Sequence, residues 1–334
     1  MKSTTAKWAI LALLLCILPW FMKDQGYAMR VIILVMLFAA MGQAWNIVGG
    51  LANLISLGHA AFFGIGCYTS TILLIRFGIS PWIGMFAAML LAALAGAILS
   101  LPTMRLRGHY FALATLAFGE VMRAIANTWS SLTGGPVGIS VPLSDNSFWL
   151  MQFKSSIPYY YIMLGALAVT TLIFIIVSRS KLGYRLRAVK ANPEAAEVIG
   201  VDTMRTKIFA AVLSAGLMGA CGTLFAQFNF FFDPDTAFSL AGISIKVALV
   251  CIIGGLGTAA GPIIGAFFIL PVEELFNSLL AGQAAGVSQL AYGVILITII
   301  LLEPRGITAL TDRLAQRWRT KKEARKNKLS WETK

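Results

Sequence analysis

The stretch "AMRVIILVMLFAAMGQAWNIV" (residues 28–48) contains one charged side chain, Arg30, in a largely apolar run. A helix needs about 20 predominantly apolar residues to cross the hydrocarbon core of a bilayer. The run is continuous and lacks the alternation of polar and apolar residues that strands of a membrane barrel show. The stretch therefore predicts a membrane-spanning helix, and a β-barrel is disfavoured.

Composition extends this prediction to the whole chain. Hydrophobic residues make up 58% of the 334 residues and charged residues only 12%, whereas a soluble domain carries about 25% charged residues. The charges are clustered and leave long apolar runs between them. We therefore expect an all-α, polytopic helical membrane protein in contact with membrane lipid.

The apolar runs predict about ten transmembrane helices. Eight runs are uninterrupted: 8–22, 28–48, 54–75, 81–101, 109–130, 159–178, 208–231 and 287–302. Region 243–271 is too long for one crossing and short for two, and "GGLGTAAGP" (254–262) interrupts it. Glycines and a proline at that density favour a broken helix. We predict short helices over 243–254 and 257–271, and a re-entrant segment is the alternative.

Two short motifs recur at one spacing. "GGL" at 49–51 precedes "AFF" at 61–63 by the same interval that separates "GGL" at 254–256 from "AFF" at 266–268. In the predicted topology both pairs run in the same direction across the membrane. The pattern is consistent with a parallel structural repeat, as found in some transporters.

Basic residues predict the orientation. The formal net charge is +13, and most of the excess lies in loop 179–207 and after Pro304. Loops rich in Lys and Arg face the cytoplasm. We therefore predict a membrane domain at 1–304 with a cytoplasmic loop at 179–207, a basic cytoplasmic tail at 305–334, and both termini in the cytoplasm. Because this explains the positive charge, nucleic-acid binding is not expected.

The sequence lacks the residues that enzymatic chemistry needs. It contains no G-x-x-x-x-G-K-[ST] loop to hold ATP phosphates. The two histidines have no ligand-like spacing to carboxylates, and the four cysteines show no C-x-x-C pattern. We therefore expect no catalytic residues, no metal site and no cofactor in this chain.

The polar stretch "ANPEAAEVIGVD" (191–202) predicts a short capped helix in the basic loop. Asn192 is a good N-cap, and Pro193 suits the first helical position. Acidic side chains, Glu194 and Glu197, lie where the helix dipole favours negative charge. Gly200 supplies the left-handed position that ends a helix. The predicted helix covers 193–199.

This predicted helix has an apolar surface, formed by Ala195, Ala196, Val198 and Ile199. A helix this short is marginally stable alone, so we expect it to pack on another structure. Either it packs only on its own protein, or it docks onto a cytoplasmic partner.

The segment "RLRAVKANPEAAEVIGVDTMRTKIFAAVLSAGLMGACGTLFA" (185–226) resembles permeases of ABC importers of the branched-chain amino acid type, specifically the LivM-type subunit. Three other stretches resemble the same family: "WNIVGGLANLISLGHAAFFGIGCYTS" (45–70), "MRLRGHYFALATLAFGEVMRAIANTWSSLTGGPVGI" (104–139) and "GGLGTAAGPIIGAFFI" (254–269). The resemblance covers most of residues 30–302. "SLTGGPVGI" and the loop helix are its most specific parts.

The resemblance implies an assembly in a bacterial inner membrane. Two homologous but distinct permease subunits form a heterodimer, two cytoplasmic ATPase subunits hydrolyse ATP, and a periplasmic binding protein delivers the substrate. The 193–199 helix is then the coupling helix that fits a groove on the ATPase. The residues implied in ATPase coupling are Asn192, Pro193, Glu194, Ala195, Ala196, Glu197 and Gly200. "SLTGGPVGI" (131–139) is expected outside the cell, where it can meet the binding protein.

The polar groups in or beside the family-like segments are candidates for the translocation path: Asn53, Ser56, Glu120, Asn127 and Thr133. Glu120 and Arg123 are spaced to pair on one helix face. The resemblance implies transport of branched-chain amino acids, and related permeases also serve urea or short amides. A proton-coupled secondary carrier and a membrane scaffold without transport remain as alternatives from the residues alone.

Overall fold

The computed structural model describes residues 18–20, 25–106, 108–143 and 145–280, together with 290, 293 and 294. This part of the chain contains seven helices long and apolar enough to cross a membrane: Gly26–Ala52, His59–Phe77, Pro81–Thr103, Ser156–Arg179, Thr203–Asn229, Pro234–Gly254 and Gly261–Leu279. The chain is therefore a multi-pass helical membrane protein. Apart from residues 18–20, 290, 293 and 294, the predicted spans 8–22 and 287–302 and the tail 305–334 lie outside the described residues.

The long helices are α1 (Gly26–Ala52), α2 (His59–Phe77), α3 (Pro81–Thr103), α4 (His109–Thr128), α6 (Ser156–Arg179), α9 (Thr203–Asn229) and α12 (Gly261–Leu279). The shorter helices are α5 (Ser130–Thr133), α7 (Lys181–Ala191), α8 (Pro193–Val198), α10 (Pro234–Ala237) and α11 (Lys246–Gly254). A 3₁₀ turn (Gly135–Val137), a π-helix (Leu240–Ile245) and two strands, β1 (Ile139–Ser140) and β2 (Phe231–Phe232), complete the described part.

Helix α1 lies at the centre of the bundle. It packs against α6, α9, α11 and α12, and all of its residues from Val35 to Ala52 are buried. A helix that is apolar on every side belongs in such a position, since it has no polar face to expose. Helix α9 packs against α2 and α3 and connects them to α1.

Glycines allow α2 and α9 to approach closely. A Cβ on Gly66 of α2 would collide with the carbonyl oxygen of Gly219, and a Cβ on Gly222 of α9 would collide with the carbonyl oxygen of Phe63. Small residues at membrane helix interfaces let the two backbones come near enough for extensive van der Waals contact. This contact fixes the position of α2, whose first residue is His59.

The broken region 243–271 is longer than the sequence predicts. A break at 255–260 separates α11 from α12, as expected, but the π-helix precedes α11 and α12 continues through Pro271 to Leu279. The predicted end at 271 was wrong because Glu273 and Glu274 have partners, Lys246 and Tyr27, at 2.7 and 2.8 Å. A carboxylate that has a partner can lie within a membrane helix, whereas an isolated carboxylate there is costly in free energy.

Two predicted spans begin five residues away from their predicted starts, and a third is not apolar enough to be a candidate span. Residues 53–58 are not helical, so the predicted span 54–75 begins only at His59, after Asn53 ends α1 with φ of 57°. The predicted span 208–231 begins earlier, at Thr203, because Asp202 caps the helix through the N–H of Arg205. The predicted span 109–130 is helix α4, but this helix is not one of the seven apolar enough to be a candidate span.

The repeated motifs lie at matching breaks. "GGL" at 49–51 is in the last turn of α1, and "GGL" at 254–256 begins in the last residue of α11. A non-helical segment follows each, at 53–58 and 255–260, and the next helix contains "AFF". The two motifs therefore share a local architecture.

The described bundle has two ends. At one, here called the strand end, β1 pairs antiparallel with β2 through Ile139 and Phe232. The other, here called the loop-helix end, contains α7, α8 and the 255–260 break, which lies beside the last turns of α1.

Replacing Gly66 by Ala tests the close approach of α2 and α9. The new Cβ has no space beside the carbonyl of Gly219, so we expect a loss of about 1–3 kcal/mol in the free energy of unfolding. Thermal unfolding of the purified protein in detergent measures it. Gly165→Ala in α6 is the matched control, since a Cβ there meets nothing within 4 Å. It should be neutral or stabilising, and equal melting temperatures for the two variants would contradict the packing role.

Candidate functional site

The short helix α8 is capped at both ends as its sequence predicts. Asn192 Oδ1 accepts hydrogen bonds from the N–H groups of Glu194 and Ala195, at 3.0 and 3.1 Å. Pro193 occupies the first helical position. Gly200, with φ of +85°, ends the helix in a Schellman arrangement, in which the N–H of Val201 donates to Ala196 at 2.9 Å. The helix predicted over 193–199 is observed at 193–198.

The apolar surface of α8 differs from the predicted one. Val198 and Ile199 are 88% and 75% exposed, but Ala196 is only 2% exposed because it packs against the chain itself. Glu197 accepts a hydrogen bond from Thr203 Oγ1 at 2.5 Å, which ties α8 to the start of α9. The inclusion of Ala196 in a surface for a partner was therefore wrong. Its role is internal, and Val198 with Ile199 form the outward apolar tip.

Helix α7 attaches this tip to the membrane bundle. Its buried residues Leu186 and Val189 face the bundle, and Lys190 Nζ donates to the carbonyl of Gly50 at 2.9 Å. That carbonyl belongs to the last turn of α1, where unpaired carbonyls and the helix dipole attract a cation. Sequence reasoning treated Lys190 only as a marker of orientation; its partner lies 140 residues away.

The same end of α1 holds the 255–260 break. The side-chain amide of Asn46 donates to the carbonyl of Thr258 at 2.9 Å and accepts from the N–H of Gly257 at 2.8 Å. Gln43 donates to the carbonyl of Ala259 at 2.6 Å. A contact chain therefore runs from α8 and α7 through the last turns of α1 to the break between α11 and α12.

Ser56, a predicted path residue, lies in a buried hydrogen-bond network. His59 Nε2 lies 2.8 Å from Ser214 Oγ, and Ser214 Oγ donates to the carbonyl of Ala44 at 2.7 Å. Ser214 therefore accepts from Nε2–H, so Nδ1 accepts from Ser56 Oγ, 3.0 Å away. The carbonyl of Ser56 accepts from Trp45 Nε1 at 2.8 Å. The network joins α1, α2 and α9. Sequence reasoning missed His59 because its partner Ser214 lies 155 residues away.

Two other predicted path residues, Glu120 and Asn127, lie together on one flank of α4. Arg123 pairs with Glu120 Oε2 through Nε and Nη2, at 2.9 and 2.7 Å, as their spacing predicts. Its Nη1 also contacts Asp235 Oδ1 at 2.7 Å, and Asn127 Nδ2 donates to the same oxygen at 3.4 Å. Sequence reasoning missed Asp235, which belongs to α10 and is distant in sequence. The polar flank of α4 is thus a cluster of two carboxylates, a guanidinium and an amide.

The remaining path candidates lie apart from this cluster. Thr133 is buried, and its hydroxyl contacts the carbonyls of Ala126 and Trp129 at 2.6 and 2.7 Å, which closes the turn after α4. Asn53 is exposed at the end of α1. Of the five predicted path residues, the structure brings together only Glu120 and Asn127.

Exposed apolar side chains lie at the strand end, among them Val137 at 80% exposure, Leu143 and Phe148. The segment that carries them is held in place by stacking of Trp82 on Phe148, with ring centroids 5.3 Å apart. Exposed apolar residues that cluster on an ordered loop are typical of a surface that binds another protein.

Known proteins resemble this chain over most of its length. The family model described as "Branched-chain amino acid transport system / permease component" matches residues 27–302. LivM of Escherichia coli K12, named a high-affinity branched-chain amino acid transport system permease protein, is 29% identical over 93% of this chain and 76% of its own length. A probable LivH permease of Methanocaldococcus jannaschii is 29% identical over 77% of this chain and 84% of its own.

The LivH permease of Salmonella typhimurium is 25% identical over 81% of this chain and 90% of its own length. No solved structure matches. The family model covers well over half of the chain, and the matched residues include both helix breaks, the loop helix α8 and the polar flank of α4. The chain belongs to the family of permease components of branched-chain amino acid transport systems.

Proposed function

We propose that this chain is one of two distinct permease subunits of an ATP-driven importer that carries branched-chain amino acids into a bacterial cell. A second homologous permease, two cytoplasmic ATPase subunits and a periplasmic binding protein complete the assembly. The observation that carries the proposal is the helix α8, which is capped at both ends and presents Val198 and Ile199 outward. A transporter chain without a phosphate-binding loop needs such an attachment to an ATPase.

In this proposal the loop-helix end faces the cytoplasm and the strand end faces the periplasm. The basic residues of loop 179–207 support this orientation. The membrane domain then extends over 1–304, the tail 305–334 is cytoplasmic, and both termini lie inside. ATP hydrolysis belongs to the ATPase subunits, since this sequence contains no G-x-x-x-x-G-K-[ST] loop, and we expect no cofactor or metal in this chain.

Coupling proceeds through contacts already described. The ATPase moves the tip formed by Val198 and Ile199, and α7 transmits the motion to α1 through Lys190 and Gly50. Asn46 then transmits it to the 255–260 break, which separates two membrane helices. Asn192, Pro193 and Gly200 maintain the helix, Ala196 and Glu197 attach it to its own chain, and Glu194 and Ala195 lie beside the tip.

The polar flank of α4 is the best-supported part of the translocation path. A zwitterionic amino acid cannot enter hydrocarbon, so its route requires polar groups and water. Glu120, Arg123 and Asn127 provide both charges and an amide on a helix that is not apolar enough to be a candidate span. Asn53 remains a path candidate at the cytoplasmic side, whereas the hydroxyls of Ser56 and Thr133 are engaged within the protein.

The alternative functions receive less support. A proton-coupled carrier needs a carboxylate that exchanges protons, but Glu120 is held by two contacts from Arg123. Urea and short amides are neutral and need no paired charges along their route. Uptake by vesicles that contain only this chain, under an imposed proton gradient, would favour the carrier, and a scaffold would show no substrate-dependent activity in any assembly.

Replacing both Val198 and Ile199 by Asp tests the docking of the ATPase. Both side chains are exposed, so the fold should survive. The variant, however, no longer has an apolar pair to bury at the interface with the ATPase. We expect at least about a tenfold loss of ATPase subunits that co-purify with the permease, with a parallel loss of uptake. Unchanged co-purification would refute the docking of α8.

Replacing Val137 by Asp tests the opposite face. This residue lies at the strand end, within "SLTGGPVGI". We expect weaker stimulation of ATP hydrolysis by the binding protein, with about a tenfold higher concentration needed for half-maximal effect, whereas ATPase co-purification stays normal. Each variant is thus the control for the other. An unaltered response to the binding protein would remove Val137 from that interface.

A further inference from the structure

An ion pair connects the helices α11 and α12 and contains none of the residues of the polar flank of α4. Lys246 Nζ and Glu273 Oε1 are 2.7 Å apart. At about 1.5 Å rise per residue, Lys246 lies roughly 12 Å from the end of α11 at Gly254, and Glu273 roughly 18 Å from the start of α12 at Gly261. Both charges therefore lie inside segments that are long and apolar enough to cross a membrane.

The ammonium of Lys246 has two favourable contacts. The ammonium contacts the Glu273 carboxylate on one side and lies 5.4 Å from the ring centroid of Phe38, on α1. A carboxylate and an aromatic face are the two groups that bind ammonium most favourably in a protein. The π-helix Leu240–Ile245 ends immediately before Lys246, and wide turns of this kind are frequent at functional sites.

The ion pair is not needed to join the two helices. Their contact is made by glycines, since a Cβ on Gly254 would collide with Gly261 and a Cβ on Gly265 with Val250. A buried ion pair replaced by apolar residues of similar size is commonly neutral or more stable. Packing therefore does not account for two charges at this depth.

The pair is also accessible from one side. The side chain of Lys246 is 20% exposed and that of Glu273 is 23% exposed on the surface of this subunit. Charged groups inside a membrane face a water-filled cavity or another protein group rather than lipid. The accessible side of the pair therefore belongs to a water-accessible route or to a subunit contact.

We propose that Lys246, Glu273 and Phe38 bind the charged groups of a zwitterionic amino acid within the membrane. The substrate's ammonium replaces the Lys246 ammonium at Glu273 and Phe38, and Lys246 turns to the substrate's carboxylate. One ion pair becomes two, both the site and the substrate are neutral overall, and no net charge is buried. This inference rests on the proposed import of amino acids and names a second place on their route.

A double-mutant cycle tests the site in the complete complex of permeases, ATPases and binding protein, reconstituted in lipid vesicles. The variants are Lys246→Met, Glu273→Leu and the two combined, and the probe is ATP-driven uptake of L-leucine. If Lys246 and Glu273 bind the amino acid, we expect at least about a tenfold loss of uptake in each single variant and in the combination. Charge-assisted bonds to the substrate are missing in all three variants. A structural pair predicts recovery in the combination, so recovered uptake would overturn the proposal.

Gly165→Ala in α6 is the control for expression and reconstitution. A Cβ there meets nothing within 4 Å, and its uptake should equal that of the unaltered complex. An unaltered complex without ATP-driven leucine uptake would refute the proposed function itself. If the combined variant no longer co-purifies with the second permease subunit, the ion pair belongs to a subunit contact. That result would overturn the proposed binding of the amino acid.

A conservative variant keeps the proposal testable if the neutral variants fail to fold. Lys246→Arg with Glu273→Asp retains both charges and shifts their positions. We expect normal assembly and a KM for L-leucine raised several-fold, because the distance between the two charges no longer matches the substrate. An unchanged KM in a well-assembled complex would overturn the site.

Discussion

Backbone hydrogen-bonding groups find no water inside a bilayer, so every interruption of a helix there needs partners from the protein. The 255–260 break depends on two polar side chains of the otherwise apolar α1, Asn46 and Gln43, which bond to Gly257, Thr258 and Ala259. At 53–58, Trp45 bonds to the carbonyl of Ser56 and Thr115 accepts from the N–H of Leu57. These bonds determine where the neighbouring helices end, and with them the arrangement of the bundle.

Because α1 supplies three of these four partners, Asn46, Gln43 and Trp45, one helix connects parts that are distant in sequence. Its last turns bond to the break through Asn46 and to the loop helices through Gly50, which accepts from Lys190. Close contacts between glycines hold α2 against α9 and α11 against α12, and such contacts leave little room for independent shifts. A displacement of α8 therefore reaches the membrane helices as a movement of packed elements, as the proposed coupling to an ATPase requires.

The charges within the bundle have two different settings. On α4, Arg123 forms ion pairs with two carboxylates, Glu120 and Asp235, near the strand end, where the flank is partly exposed. Between α11 and α12, Lys246 and Glu273 form a one-to-one pair deeper in the bundle. The first arrangement carries an extra negative charge that attracts an ammonium, and the second is neutral. A zwitterion that moves from the first to the second would meet groups of both signs at each place.

The sequence by itself determined the helical membrane class, most of the spans, the break near residue 254 and the caps of α8, because each depends on residues within a few turns of one another. The family was recognisable for the same reason, from contiguous motifs. Only the tertiary structure decided that Ala196 is buried, that Asp235 contacts Arg123, that Ser214 contacts His59 and that Glu273, beyond the predicted end of α12, pairs with Lys246. These partners are separated by 27 to 155 residues. No local pattern specifies such contacts, since packing of whole helices brings them together.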